Sequence, residues 1–171
     1  MFPTVRALAA ARPTTEVRLH VFPLPYNIGS WLPAQACVAA ALLTNSSSAA
    51  VDCLAVLYSG DNQRTLKTAA MVNATTPALT AQLVHLLAGP LGIKAAALTS
   101  ELTKTGPESG PPSYAATKAD YKFGCARGVY ATPSVFLNGV QLTGYDASAG
   151  GSHPEGQLAA LNVSEWERVL G

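Results

Sequence analysis

The run from Gly128 to Leu142, Gly-Val-Tyr-Ala-Thr-Pro-Ser-Val-Phe-Leu-Asn-Gly-Val-Gln-Leu, restricts the fold of this chain more than any other stretch. Two short apolar segments, Ser134 to Leu137 and Val140 to Leu142, flank Asn138-Gly139. An Asn-Gly pair between apolar runs is the strongest short-range hairpin signal, because a type I′ turn needs positive φ at both central residues. Two antiparallel strands are therefore expected. Pro133 stands where the first strand begins, one of the few sheet positions open to a residue without an N–H. Since only X-Pro bonds adopt cis at a modest cost of about 0.5–1 kcal/mol, Thr132–Pro133 is a candidate cis bond.

Upstream, Glu16 to Val21 reads as a further strand, and from Tyr26 to Thr103 the pattern is helical. Ser30 is a candidate N-cap for a helix with Leu32, Ala36, Ala39, Ala40 and Leu43 on its apolar stripe. Ser48 to Tyr58 and Gln63 to Met71 read as two shorter helices. Thr76-Pro77 starts another, with Leu79, Leu83, Leu86 and Leu87 inward and Gly89-Pro90 as its stop. A further turn or helix covers Leu91 to Leu102. Thr105 to Ser113, with Gly106, Pro107, Gly110, Pro111 and Pro112, is a loop. Tyr114, Tyr121 and Cys125 then share one face of a helix closed by Gly128. Beyond the hairpin, Thr143 to Gly156 reads as a Gly/Ser-rich loop, and Ser164-Glu165-Trp166-Glu167 as the capping box of a last helix. A lone early strand that pairs with a hairpin more than a hundred residues later needs a crossover, which the helices supply.

Gly-Val-x-x-Thr-Pro-x-x-Phe-Leu-Asn-Gly resembles the cis-proline loop and hairpin of thioredoxin-fold proteins of the DsbA kind, disulfide oxidoreductases with a helical insertion. Val17 to Tyr26, Val-Arg-Leu-His-Val-Phe-Pro-Leu-Pro-Tyr, is similar to the second strand of that family and the loop after it. The likeness is strongest to plant and algal members, through Lys122, Arg127 to Pro133 and Trp166. It implies an α/β fold, a thioredoxin-like sheet sandwich forming one domain over residues 1–171, with a helical insertion at about 28–126 between the second strand and the cis-proline hairpin. Thr132–Pro133 is accordingly read as cis. Met1 to Arg12, basic and without an acid before Glu16, reads as the back half of the family's first helix in preference to an organellar transit peptide, because Pro13 ends it three residues before the strand.

In that family a cysteine at the N-terminus of the first helix does the chemistry, its thiolate stabilised by unpaired N–H groups and the helix dipole. The resemblance implies that this strand and cysteine turn would precede Met1, so no catalytic residue is assigned. Ala131, Thr132 and Pro133 are expected to hold an extended peptide or a protein thiol substrate by offering the backbone groups of Thr132. Of the three cysteines, Cys37 and Cys53 are either bridged across two helices of the insertion or buried as reduced, small hydrophobes, the second being preferred. Cys125 is read as buried beside Tyr114 and Tyr121 in preference to a resolving thiol. The alternative function is a non-catalytic module that binds peptides in the cis-proline groove. An exposed edge on the Glu16 to Val21 strand makes self-association an expectation.

No cofactor and no metal site are expected. There is no C-x-x-C, no H-E-x-x-H, no G-x-S-x-G and no phosphate-binding glycine loop, and His20, His85 and His153 have no evident partners. At 171 residues the chain can bury a single core. Charged residues are 12% against about 25% in a typical domain, and a net charge of +1 gives no electrostatic case for nucleic acid. The apolar run Ala36 to Leu43 is far shorter than the roughly 20 residues that span a bilayer. Three sequons, at Asn45, Asn73 and Asn162, lean toward a secretory route.

Overall fold

The computed structural model describes residues 2–27, 29–107, 109–142 and 163–170. It is mostly helical with a two-stranded antiparallel sheet, and it divides into two compact units, His20–Arg127 and Met1–Leu19 with Gly128–Gly171.

The larger unit is all-helical: α2 (Trp31–Thr44), α3 (Ser48–Leu57), α4 (Gly60–Thr65), α5 (Thr68–Met71), α6 (Thr76–Leu87), α7 (Ala95–Leu102) and α8 (Pro112–Ala126). Its core forms around α2, whose Ala36, Ala39 and Ala40 are buried and let α3, α7 and α8 approach closely. Leu79, Leu83 and Leu87 of α6 and Leu98 and Leu102 of α7 fill the remainder. Helix α6 starts at Thr76-Pro77 as its sequence predicts, but the cap is Thr75, which accepts the Ala78 N–H at 3.3 Å, and Pro77 is the second helical residue. The run expected as one helix over Gln63 to Met71 is instead the two short helices α4 and α5.

Ser30 does not cap α2. Its backbone is already helical, and its hydroxyl donates to the Leu24 carbonyl at 2.9 Å, so it braces the Phe-Pro-Leu-Pro turn instead. Behind it lies a buried polar knot. Gln35 donates to the Glu101 carbonyl and to Ser113 Oγ, Ser113 Oγ donates to the same carbonyl, and the Ser113 N–H donates to the Glu101 carboxylate. Each member is satisfied, so α2, α7 and α8 are held in one register without an orphaned polar group.

The other unit comprises α1 (Phe2–Ala11), the hairpin β1 (Phe136–Leu137) and β2 (Val140–Gln141), and α9 (Val163–Leu170). Phe136 pairs with Gln141 and Leu137 with Val140, while Asn138 and Gly139 take φ of 49° and 85°, the two positive values a type I′ turn requires. Arg12, just past α1, reaches the Glu167 carbonyl of α9 at 3.4 Å. Ser164 lies inside α9, so it is not the N-cap that its sequence suggested.

Residues 16–21, expected as a strand, form none. Val17 and Leu19 are over 40% exposed, and the Val21 N–H donates to the Asp120 carboxylate at 3.2 Å instead of to a ladder partner. Among the described residues the expected sandwich is thus reduced to β1 and β2. Within the segment, Arg18 grips Glu16 through two contacts of 2.9 Å, and that hydrogen bond holds the Glu16 carboxyl below its usual value.

Candidate functional site

Three groups of residues bear on function. The first is the rim that precedes β1. The Thr132–Pro133 bond is cis, Thr132 is exposed, and Ser134 closes the turn by donating from Oγ to the Ala131 carbonyl at 2.7 Å. Among the described residues no backbone hydrogen bond engages the Thr132 N–H or carbonyl.

The cysteines form the second. Cys37 and Cys53 are joined in a disulfide between α2 and α3, their Cα atoms 5.2 Å apart and both residues wholly buried. The preferred expectation of reduced thiols is thereby corrected. Both are buried as expected, but facing positions on two helices of one tight hairpin bring the sulfurs within bonding reach, which neither stripe reveals alone. Cys125 is exposed, which corrects its reading as a buried residue. The inward stripe of α8 is Ser113, Thr117 and Gly124, and Cys125 lies one residue beyond it, rotated toward solvent. The Tyr121 hydroxyl, one turn earlier, donates to the Cys125 sulfur, which raises the phenol above its ordinary value near 10.

The third group is the turn after Val21. Phe22 stacks on Tyr121 with centroids 5.1 Å apart, Tyr121 meets the edge of Trp31 at 6.2 Å, and Trp31 packs on Tyr114 at 5.6 Å. Lys104 Nζ lies 4.8 Å over the Tyr114 ring. Pro23, Pro25, Ser30, Trp31 and Tyr121 border an open cleft of about 380 Å³. The Trp31 indole N–H is spent on Gln35 Oε1 at 3.1 Å, so the ring offers the cleft a surface and not a donor. Beside it His20 pairs with Asp120, Nδ1 to Oδ1 at 2.9 Å, a contact across a hundred residues of sequence that no motif signals.

Asn45 and Asn73 are exposed, and Asn162 lies outside the described residues, as do His153 and the loop that follows the hairpin. Among the described residues no group of three His, Cys, Asp or Glu side chains could hold a metal, and no helix is long and apolar enough to cross a membrane.

No family model and no curated protein sequence matches the chain. Among solved structures, a "putative protein-disulfide isomerase" from Pseudomonas syringae superposes with a TM-score of 0.70 over 99% of this chain and 84% of its own, at 18% identity. The chain therefore shares the fold of that protein. Within that fold, the chain's three cysteines sit at the middle of α2, the middle of α3 and the C-terminal end of α8. None of the three begins a described helix.

Proposed function

We propose that this polypeptide descends from DsbA-like thiol-disulfide oxidoreductases, keeps their peptide-holding rim at Ala131, Thr132 and Pro133, and catalyses no thiol exchange by itself. In this reading residues 1–171 are one thioredoxin-like domain, with the helices of about 28–126 inserted between the second strand and the hairpin. The plant and algal likeness of its motifs belongs to the same reading.

The placement of the thiols carries it. Exchange begins with a thiolate attacking a disulfide sulfur, and a helix N-terminus favours that thiolate with unpaired N–H groups. Cys37 and Cys53 are sealed in the core against each other. Cys125 stands where α8 presents carbonyl oxygens instead. Insulin reduction and glutathione-dependent exchange by the 171-residue chain should proceed at the uncatalysed rate, and clear turnover overturns the proposal.

A second reading, a peptide-binding module that has left redox chemistry altogether, draws on the exposed Thr132, whose N–H and carbonyl no backbone group among the described residues engages, so that they could extend a strand-like ligand. Calorimetric titration with extended peptides separates the two. Saturable binding by a chain inert in both exchange assays, weakened in Thr132→Pro where the N–H is lost, favours the module.

A further inference from the structure

We infer that Asn45 is an N-glycosylation site, and that the chain matures where thiols are oxidised and oligosaccharide is transferred to asparagine. Two independent features meet at the turn between α2 and α3. The first is the Cys37–Cys53 disulfide, which encloses this turn and is wholly buried. Such bridges form and persist in oxidising compartments, whereas cytosolic reductants keep most thiols reduced.

The second is the geometry of Asn45-Ser46-Ser47. Asn45 ends α2 in the left-handed conformation, φ 50° and ψ 40°, while its N–H donates to the Leu42 carbonyl and the Ser46 N–H donates to that of Ala41. This Schellman arrangement seals the helix end and leaves the Asn45 side chain exposed on the outside of the reversal. A left-handed C-terminal residue explains an asparagine here, but glycine would serve as well, and nothing in the turn demands a hydroxyl two residues later. Ser47 is exposed and caps nothing at the start of α3. The hydroxyl that a glycosylation acceptor needs is therefore present without a folding role.

Asn73 offers a contrast. The hydroxyl of its sequon, Thr75 Oγ1, is committed to capping α6. The assignment accordingly falls on Asn45. In the transfer, the Asn45 amide nitrogen bonds to the anomeric carbon of a lipid-linked oligosaccharide diphosphate. The sugar's C–O bond to the diphosphate breaks, the diphosphate leaves with the electron pair, and the amide nitrogen gives up one proton.

Trypsin tests both features on one peptide, because residues 19–64 contain Cys37, Asn45 and Cys53 and no internal Lys or Arg. Protein from its own cells is treated with peptide-N-glycosidase in heavy-oxygen water and mapped by mass without and with reduction. The expected peptide carries heavy-oxygen aspartate at position 45 and gains two hydrogens on reduction. In matched variants, Ser47→Ala abolishes the label at position 45 while Ser46→Ala keeps it, with unchanged thermal unfolding in both. An unmodified Asn45, a label confined to Asn73 or Asn162, or a peptide with two free thiols overturns the inference.

Discussion

Phe22 rests on Gly124 so closely that a Cβ at position 124 would lie 2.5 Å from Phe22 Cδ2. The contact presses the turn after Val21 against α8, where the same ring stacks on Tyr121. Two effects compete in Gly124→Ala: up to about 1 kcal/mol of helix propensity gained, and an overpacking cost of roughly 1–3 kcal/mol. At 2.5 Å the clash should prevail, with net destabilisation of about 1 kcal/mol in urea unfolding. Gly124→Ala in a Phe22→Ala background should change sign and stabilise. A stabilised single variant would show that the ring moves aside freely.

The buried disulfide makes a prediction about thiol accessibility. The native chain should show one thiol reactive to Ellman's reagent, Cys125, and still one after unfolding without reductant, rising to three only after reduction. Closing a loop across a sequence separation of 16 is worth about 3 kcal/mol in the chain-entropy account, so Cys37→Ala with Cys53→Ala should lower stability by about that amount. Two or three reactive thiols in the folded protein would contradict the bridge.

Asp120 holds both the His20 ring and the Val21 amide. Truncation to alanine should therefore cost more than truncation of His20, because it strands a nearly buried N–H, at about 1–3 kcal/mol for an unsatisfied group. His20→Ala loses only a half-exposed pairing and should cost under about 1 kcal/mol. Equal costs would mean that the Val21 amide finds another partner.

The sequence revealed whichever elements depend on their immediate neighbours. Asn138-Gly139 announces the hairpin because only such residues take two positive φ values in a row, and Thr76-Pro77 announces the start of α6 because proline fits the first turn, although the cap proves to be Thr75. What escaped depends on distance. Asp120 meets His20 and Val21 a hundred residues away, and Gln35 meets Glu101 and Ser113 across three helices. Ser30 carries a cap signature but spends its hydroxyl on Leu24, and Cys125 shares the Tyr121 face as its spacing implies, yet that face is not the buried one, because the small residues Ser113, Thr117 and Gly124 define the close-packed stripe.

Tyr121 and Cys125 set a test in alkaline solution. The hydroxyl's hydrogen bond to sulfur raises the phenol above its ordinary value near 10, so the folded state holds that proton more firmly than the unfolded chain does. The contribution to stability is fully present below the unfolded value and is lost as pH rises through the folded one. Phenolate absorbance, with the Tyr121→Phe curve subtracted to isolate this residue from the other five tyrosines, should place its midpoint above the ordinary value. Cys125→Ala removes the acceptor and should bring that midpoint down, and methylating the exposed thiol should lower it in the same direction. A midpoint indifferent to both changes would mean that the two side chains do not interact in solution, leaving Cys125 a free surface thiol beside the cleft.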